Sequence, residues 1–255
     1  MVVLVISWFP RGEMMRLERH LPQLRNIYER IIISMPPHAT YKDLTYFAAL
    51  DEVIAFKNKI RAEGRFRGLE KALATSADFI HYTDGDRLIR WIETRPDELQ
   101  QTVLDLQNYE CSVIGRSAYA LNTHPKTLTD TEKIINMVFS QYIGQSLDFG
   151  GGSKAFSRRA VEFLMQHAKP DSGLGNDTEW AVLCYRAGFS IGNIRVDGLD
   201  WETADRQQNH AADNDSQMSL ADKLDADPKQ WQFRVQMAAD IITAGLGAMQ
   251  RPLSE

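Results

Sequence analysis

The chain has 255 residues, 44% of them hydrophobic and 25% charged. That is enough to bury a core without disulfide or metal staples, and too apolar for a disordered polymer. With 29 Lys and Arg against 34 Asp and Glu the net charge is −5, which excludes wholesale wrapping by nucleic acid but leaves room for a local basic pocket. Two cysteines, Cys111 and Cys184, lie in apolar company; they exclude a disulfide framework and a cysteine-only zinc site, and fit a reducing, cytoplasmic setting.

The run Val2-Val3-Leu4-Val5-Ile6 is β-branched and unbroken, the pattern of a strand covered on both faces. It lacks a basic leader and a small-residue cleavage site, and Pro10-Arg11 stops it, so it reads as a strand and not as a signal peptide. Residues 13–28 place Met14, Leu17, Leu21, Leu24 and Ile27 at helical intervals, with Pro22 marking a kink or boundary. A second strand follows over 30–34 and a third over 51–56, giving the start of a βαβ architecture. A helix over 61–76 leads to a fourth strand over 77–83, which ends in Asp84-Gly85-Asp86. Residues 90–107 read as helical with an interruption near Pro96, and 111–114 as a fifth strand. Beyond Gly115 the alternation weakens. Helices are expected over 131–142, over Arg158–His167 and over 177–187, and a late strand over Ile191–Val196. Residues 204–219 are polar without clean periodicity and read as a lid or tail, before a final helix over 230–249. The simplest partition is one α/β unit over 1–203, with halves 1–115 and 116–203, and a C-terminal extension over 204–255. No run of about 18 apolar residues occurs, so no membrane-spanning helix is expected; peripheral attachment needs none.

Asp84-Gly85-Asp86 is the sharpest local feature. Strand ends form the ligand crevice of open α/β sheets, and two carboxylates there suit a magnesium or manganese ion completed by phosphate oxygens. The plain alternative is an Asp-Gly turn facing solvent. Asp177 and Glu179 head a helix, where acids are favourable without any chemistry, yet a carboxylate beside a sugar hydroxyl could also take its proton. Gly150-Gly151-Gly152 has neither the position nor the spacing of a dinucleotide fingerprint; it is either a flexible link or a place where backbone approaches a substrate. Arg61, Arg65 and Arg67 form a basic face that either solvates its helix or offers a phosphate contact, with Arg65 the one assigned to the donor. His210 sits in the polar segment as an exposed side chain or a metal ligand. No P-loop occurs, and Ser153 lies in no nucleophile elbow.

Three stretches in order, residues 68–86, residues 149–159 and residues 175–189, resemble the GT-A glycosyltransferases, particularly family-2-like enzymes and glycosyl-glycerate synthases. The resemblance implies a GT-A fold with a mostly parallel central sheet flanked by helices, and metal-dependent transfer of a sugar from a nucleotide-diphosphate sugar to an acceptor hydroxyl. It places Asp84 near the nucleotide sugar or its ribose, and Asp86 on a Mn2+ or Mg2+ ion whose shell His210 completes. Gly151 and Gly152 fall in the donor and acceptor loop. Asp177 becomes the general base of an inverting reaction, or an orienting residue in a retaining one, with Glu179 as its substitute. Partners would be the nucleotide sugar and a hydroxyl-bearing acceptor, with no nucleic acid, and a homo-oligomer is compatible. Two other readings of the same fold stay open: a nucleotidyltransferase, and a non-catalytic nucleotide-sugar-binding or scaffold protein.

Overall fold

The computed structural model describes residues 1–253, so the last two residues of the expected 204–255 extension lie outside the described residues. In chain order the elements are β1 (Val2–Ser7), α1 (Met14–Ile27), β2 (Arg30–Met35), α2 (Tyr41–Ala48), β3 (Val53–Lys57), α3 (Gly64–Leu73), β4 (Phe79–Asp84), α4 (Gly85–Thr94) and α5 (Pro96–Asp105). There follow β5 (Cys111–Arg116), α6 (Ala118–Thr123), α7 (Lys126–Ile143), β6 (Ser153–Ser157), α8 (Arg158–His167), α9 (Asn176–Arg186), β7 (Ile191–Val196), α10 (Asn214–Asp225) and α11 (Pro228–Gln250).

The strands form one sheet in the order β3-β2-β1-β4-β6-β5-β7. Every pairing is parallel except those of β6, which runs antiparallel to both β4 and β5. The sheet is covered on both faces, which is why β1 needs no polar alternation. Val3 and Val5 point into one core with Leu69, Phe139, Phe156 and Trp180. Val2, Leu4 and Ile6 point into the other with Leu17, Leu24, Trp91 and Leu99. The period-two alternation of a strand therefore feeds two cores from one unbroken apolar run.

Three local departures from expectation have physical causes. Helix α2 carries little apolar periodicity, and a capping box starts it: Thr40 accepts from the Asp43 amide while the Asp43 side chain accepts from the Thr40 amide. Helix α4 begins at Gly85 with no intervening turn, and Asp84 is its extended N-cap residue. A side chain at Gly85 would collide with Trp8, so the glycine there serves close packing more than bending. The 204–219 segment is also more ordered than its composition suggests. Asp205 within it is buried and holds Arg16, Arg90 and Gln217, and α10 then starts on an Asp213 cap. Helix α11 packs back against α7 and α9. Among the described residues no helix is long and apolar enough to cross a membrane.

Candidate active site at the strand ends

The register of the sheet places Ser34, Ser7 and Asp84 in one row at the C-terminal ends of β2, β1 and β4. The chain leaves β1 toward β2 on one side and reaches β4 on the other, so this row sits where the connections diverge and a crevice opens. A cleft of about 780 Å³ lies there, lined by Ser7, Ser34, Asn58, Arg65, Asp84 and Asp86 from the sheet side. Its opposite wall is Phe233, Arg234 and Met237 of α11 together with Gly173 and Leu174. A volume of that order holds a ligand of cofactor size.

Arg65 organises one end of the site. It is 8% exposed, and its guanidinium donates to Asp177 at 2.7 Å and to Asp84 at 3.2 and 3.3 Å. It also lies 5.2 Å from the centroid of the Tyr82 ring, whose hydroxyl donates to Asp84. Lys154 Nζ donates to the same Asp177 oxygen at 3.1 Å. Burial alone would raise the Asp177 pKa, but Arg65 and Lys154 outweigh it and hold the carboxyl below its ordinary value. The expected donor residues Arg65 and Asp84 and the expected base Asp177 therefore form one ion-paired unit. A carboxylate neutralised by two cations is a weak proton acceptor and a firm anchor for the guanidinium.

The glycine loop is tied to the same helix that carries Asp86. Arg87 Nη1 donates to Gly150 O at 3.1 Å and to Gly151 O at 2.5 Å. Gly152 has φ +67°, and a Cβ on it would stand 2.7 Å from Asp84 Oδ2, so glycine is required both by its backbone and by the aspartate beside it. Behind the loop, Arg116 binds Asp148 and Glu132, which fixes the turn at Phe149–Gly151.

Asp86 forms an ion pair with Arg11 at 2.5 Å, and its other oxygen accepts from the Arg87 amide. Near it the buried Glu202 has an oxygen, Oε2, with no hydrogen-bond partner. A carboxylate paired with an arginine, near a second, buried one with an unsatisfied oxygen, is donor chemistry that fits a hard divalent cation. No three His, Cys, Asp or Glu side chains converge among the described residues, so phosphate oxygens would have to complete such a shell. His210 does not stand by Asp86. Its neighbour Ala211 donates to Glu93, seven residues and roughly 10 Å along α4 from Asp86.

Glu179 also lies away from the cleft. It is 0% exposed, forms an ion pair with Arg251 and accepts hydrogen bonds from Ser172 and the Lys169 amide, and with these residues it lines a separate hollow against α11. Of the three basic residues on the third helical stretch, Arg61 and Arg65 line the cleft, while Arg67 pairs with Glu70 at the surface. Tyr82 and Trp201 are buried, on Trp180 and His124 respectively. Sequence reasoning passed over Arg11, Arg206 and Arg234, which all line the cleft. Arg234 carried a readable signal, a lone cation between Phe233 and Met237 in an otherwise apolar helical stretch. Arg11 and Arg206 carried none, because loop positions have no periodicity.

No protein-family model matches the chain, and no curated protein sequence matches it. Solved structures do. Glucosyl-3-phosphoglycerate synthase from Mycobacterium tuberculosis superposes with a TM-score of 0.60 at 14% identity, over 99% of this chain and 81% of that one. The same synthase in complex with Mn2+, uridine-diphosphate-glucose and phosphoglyceric acid gives 0.55 at 13% identity, over 99% of this chain and 80% of that one. A further mycobacterial protein gives 0.61 at 14% identity, over 99% and 75%. The chain thus has the GT-A-type fold of these structures, with a largely parallel sheet flanked by helices.

Proposed function

We propose that the protein is a metal-dependent glycosyltransferase, moving a sugar from a nucleotide-diphosphate sugar to an acceptor hydroxyl. One observation carries this reading: in a chain of net charge −5, the cleft at the strand ends is lined by five arginines and only two acids, Asp84 and Asp86. A cleft so charged attracts a polyanion, and the two acids stand at the strand end where a cation bridging to that polyanion would sit. The similar synthase structures hold Mn2+ with uridine-diphosphate-glucose and phosphoglyceric acid, which favours a uridine-diphosphate sugar and a phosphorylated hydroxy acid as substrates here.

Asp86 would hold the cation, which when bound neutralises charge on the departing diphosphate. Arg11 and Arg206 also line the cleft and add fixed positive charge for that leaving group. Arg65, held by Asp177, keeps Asp84 oriented toward the donor. Asp177 is spent on Arg65 and Lys154, so its role is to position and not to take the acceptor proton. Arg87 fixes the Gly150–Gly152 loop against Asp84, which bounds the space open to the sugar. The α11 wall narrows the cleft opposite, and a closed cleft limits hydrolysis of the donor.

The test is product analysis by mass spectrometry. The protein with Mn2+, a panel of nucleotide sugars and a panel of hydroxy-acid acceptors should give one acceptor bearing a hexose and one nucleoside diphosphate released per transfer. Release of pyrophosphate would identify a nucleotidyltransferase instead. Tight nucleotide-sugar binding with no product across the panels would identify a binding protein.

A further inference from the structure

We propose that Glu202, and not His210, joins Asp86 in holding the divalent cation, which gives this chain an all-oxygen metal site. The inference rests on the glycosyltransferase reading and names the residue that completes its cation site.

Helix α4 carries Asp86 in its first turn. Asp86, Arg90 and Glu93 follow one another at intervals of four and three residues and therefore share a helix face. The segment after β7 is laid along that face. Arg90 donates to Asp200 at 2.7 and 3.0 Å and to Asp205 at 3.0 Å, and Glu93 takes the Ala211 amide at 3.2 Å. Residues 209–211 are thus fixed at the far end of the helix, where Arg19 also binds the Asn209 carbonyl at 3.2 Å. His210 is turned to its own neighbour there, 3.2 Å from the Ala211 carbonyl.

Glu202 falls between the two aspartates that Arg90 pins, and Trp201 beside it is held by Thr123 through its amide and packs on His124. Its position is therefore set from both sides. The residue is 6% exposed, and its Oε2 has no hydrogen-bond partner. The nearest cation, Arg87 Nε, is 3.9 Å away, and Arg87 places its hydrogen bonds on the carbonyls of Gly150 and Gly151. Arg87 directly follows Asp86 and donates its amide to that carboxylate at 3.1 Å. The Glu202 carboxylate also lies within the fields of Asp86 and Arg206, both of which line the cleft. A buried carboxylate whose Oε2 takes no hydrogen bond, which meets Arg87 only at 3.9 Å and lies within the field of Asp86, is stabilised by a cation that joins the two acids. Two carboxylates plus diphosphate oxygens make a shell suited to Mg2+ or Mn2+ and poorly suited to metals that prefer imidazole.

The experiment measures free Mn2+ by electron paramagnetic resonance, in titrations of the full chain with Mn2+ in the presence of uridine diphosphate. Four proteins are compared: the native chain, Glu202→Gln, Glu202→Asp and His210→Ala. The expected result is at least a ten-fold loss of Mn2+ affinity in Glu202→Gln, recovery to within a few-fold of native in Glu202→Asp, and no change in His210→Ala. Thermal unfolding of each variant separates loss of the site from loss of the fold. If Glu202→Gln unfolds, Glu202→Ser takes its place, with the same loss of Mn2+ affinity expected and native affinity overturning the inference. Native affinity in Glu202→Gln, or a loss confined to His210→Ala, overturns the inference while leaving the glycosyltransferase reading in place. A native chain that binds neither Mn2+ nor uridine diphosphate refutes that reading and this inference with it.

Discussion

His81 gives the most quantitative prediction, because it ties the strand carrying Asp84 to its surroundings. It lies in the middle of β4, 0% exposed, with Nδ1 2.7 Å from the Tyr28 hydroxyl and Nε2 2.8 Å from the Ser153 hydroxyl. A neutral imidazole satisfies both contacts with one donor and one acceptor. Burial pushes its pKa down from 6.5 to about 3. The folded state therefore keeps His81 neutral over a range in which the unfolded chain protonates it. Its contribution to stability is complete above pH 6.5 and is lost as pH falls toward 3. Each pH unit in that window is worth about 1.4 kcal/mol for one proton, so the loss attributable to His81 is roughly 1 kcal/mol by pH 5.5 and about 2–3 kcal/mol by pH 4.5. His124, also pushed down by burial, adds loss in the same direction, so the native protein alone cannot isolate His81. Urea unfolding of native and His81→Gln at pH 7.5, 5.5 and 4.5 does so, since glutamine retains a donor and an acceptor without titrating. The gap between the two proteins should narrow by those amounts as pH falls. An unchanged gap across the series would refute the assignment of a neutral, buried His81.

Three further predictions follow from the same contacts. Gly152→Ala forces an alanine to φ +67° beside Asp84; it should lower stability by about 1–2 kcal/mol and weaken nucleotide binding, and native binding in this variant would count against a shared Asp84–Gly152 wall. Asp177→Asn leaves Arg65 and Lys154 less restrained; it should weaken donor binding about ten-fold, equivalent to about 1.4 kcal/mol, without removing the acidic limb of the rate–pH profile, whereas loss of that limb would make Asp177 the proton acceptor. Arg251→Ala strands the fully buried Glu179 and should cost about 3 kcal/mol of unfolding free energy with donor affinity unchanged, and a loss of donor affinity in that variant would bring the Glu179 hollow back into the site.

The sequence made some parts of this molecule legible and left others dark for identifiable reasons. The strands over 2–6 and 30–34 announced themselves because burial on both faces demands continuous β-branched residues. Helix α11 was readable from Phe233, Met237, Ile241 and Leu246, although two of these, Phe233 and Leu246, prove exposed. Helices α2 and α10 were not expected, since capping by Thr40 and Asp213 starts them where apolar periodicity is thin. The antiparallel run of β6 is a property of chain path and has no local residue pattern. Asp84 and Asp86 were conspicuous because the strand before them was. Glu202 was not, because its importance lies in what surrounds it: an unpaired oxygen, a helix face and two neighbouring aspartates held by Arg90. The resemblance to glycosyltransferases likewise suggested His210 for the cation, and the path of the 200–211 segment along α4 places it elsewhere.

The central claim is that the cleft binds the diphosphate of a nucleotide sugar through a cation on Asp86. Isothermal titration of uridine diphosphate into the native chain and into Asp86→Asn, each with and without Mn2+, tests it most directly. Binding by the native chain that depends on Mn2+ and falls at least ten-fold in Asp86→Asn, equivalent to about 1.4 kcal/mol or more, is the result expected. Equal affinity in the two proteins, or no binding of any nucleoside diphosphate by the well-folded native chain, would contradict it.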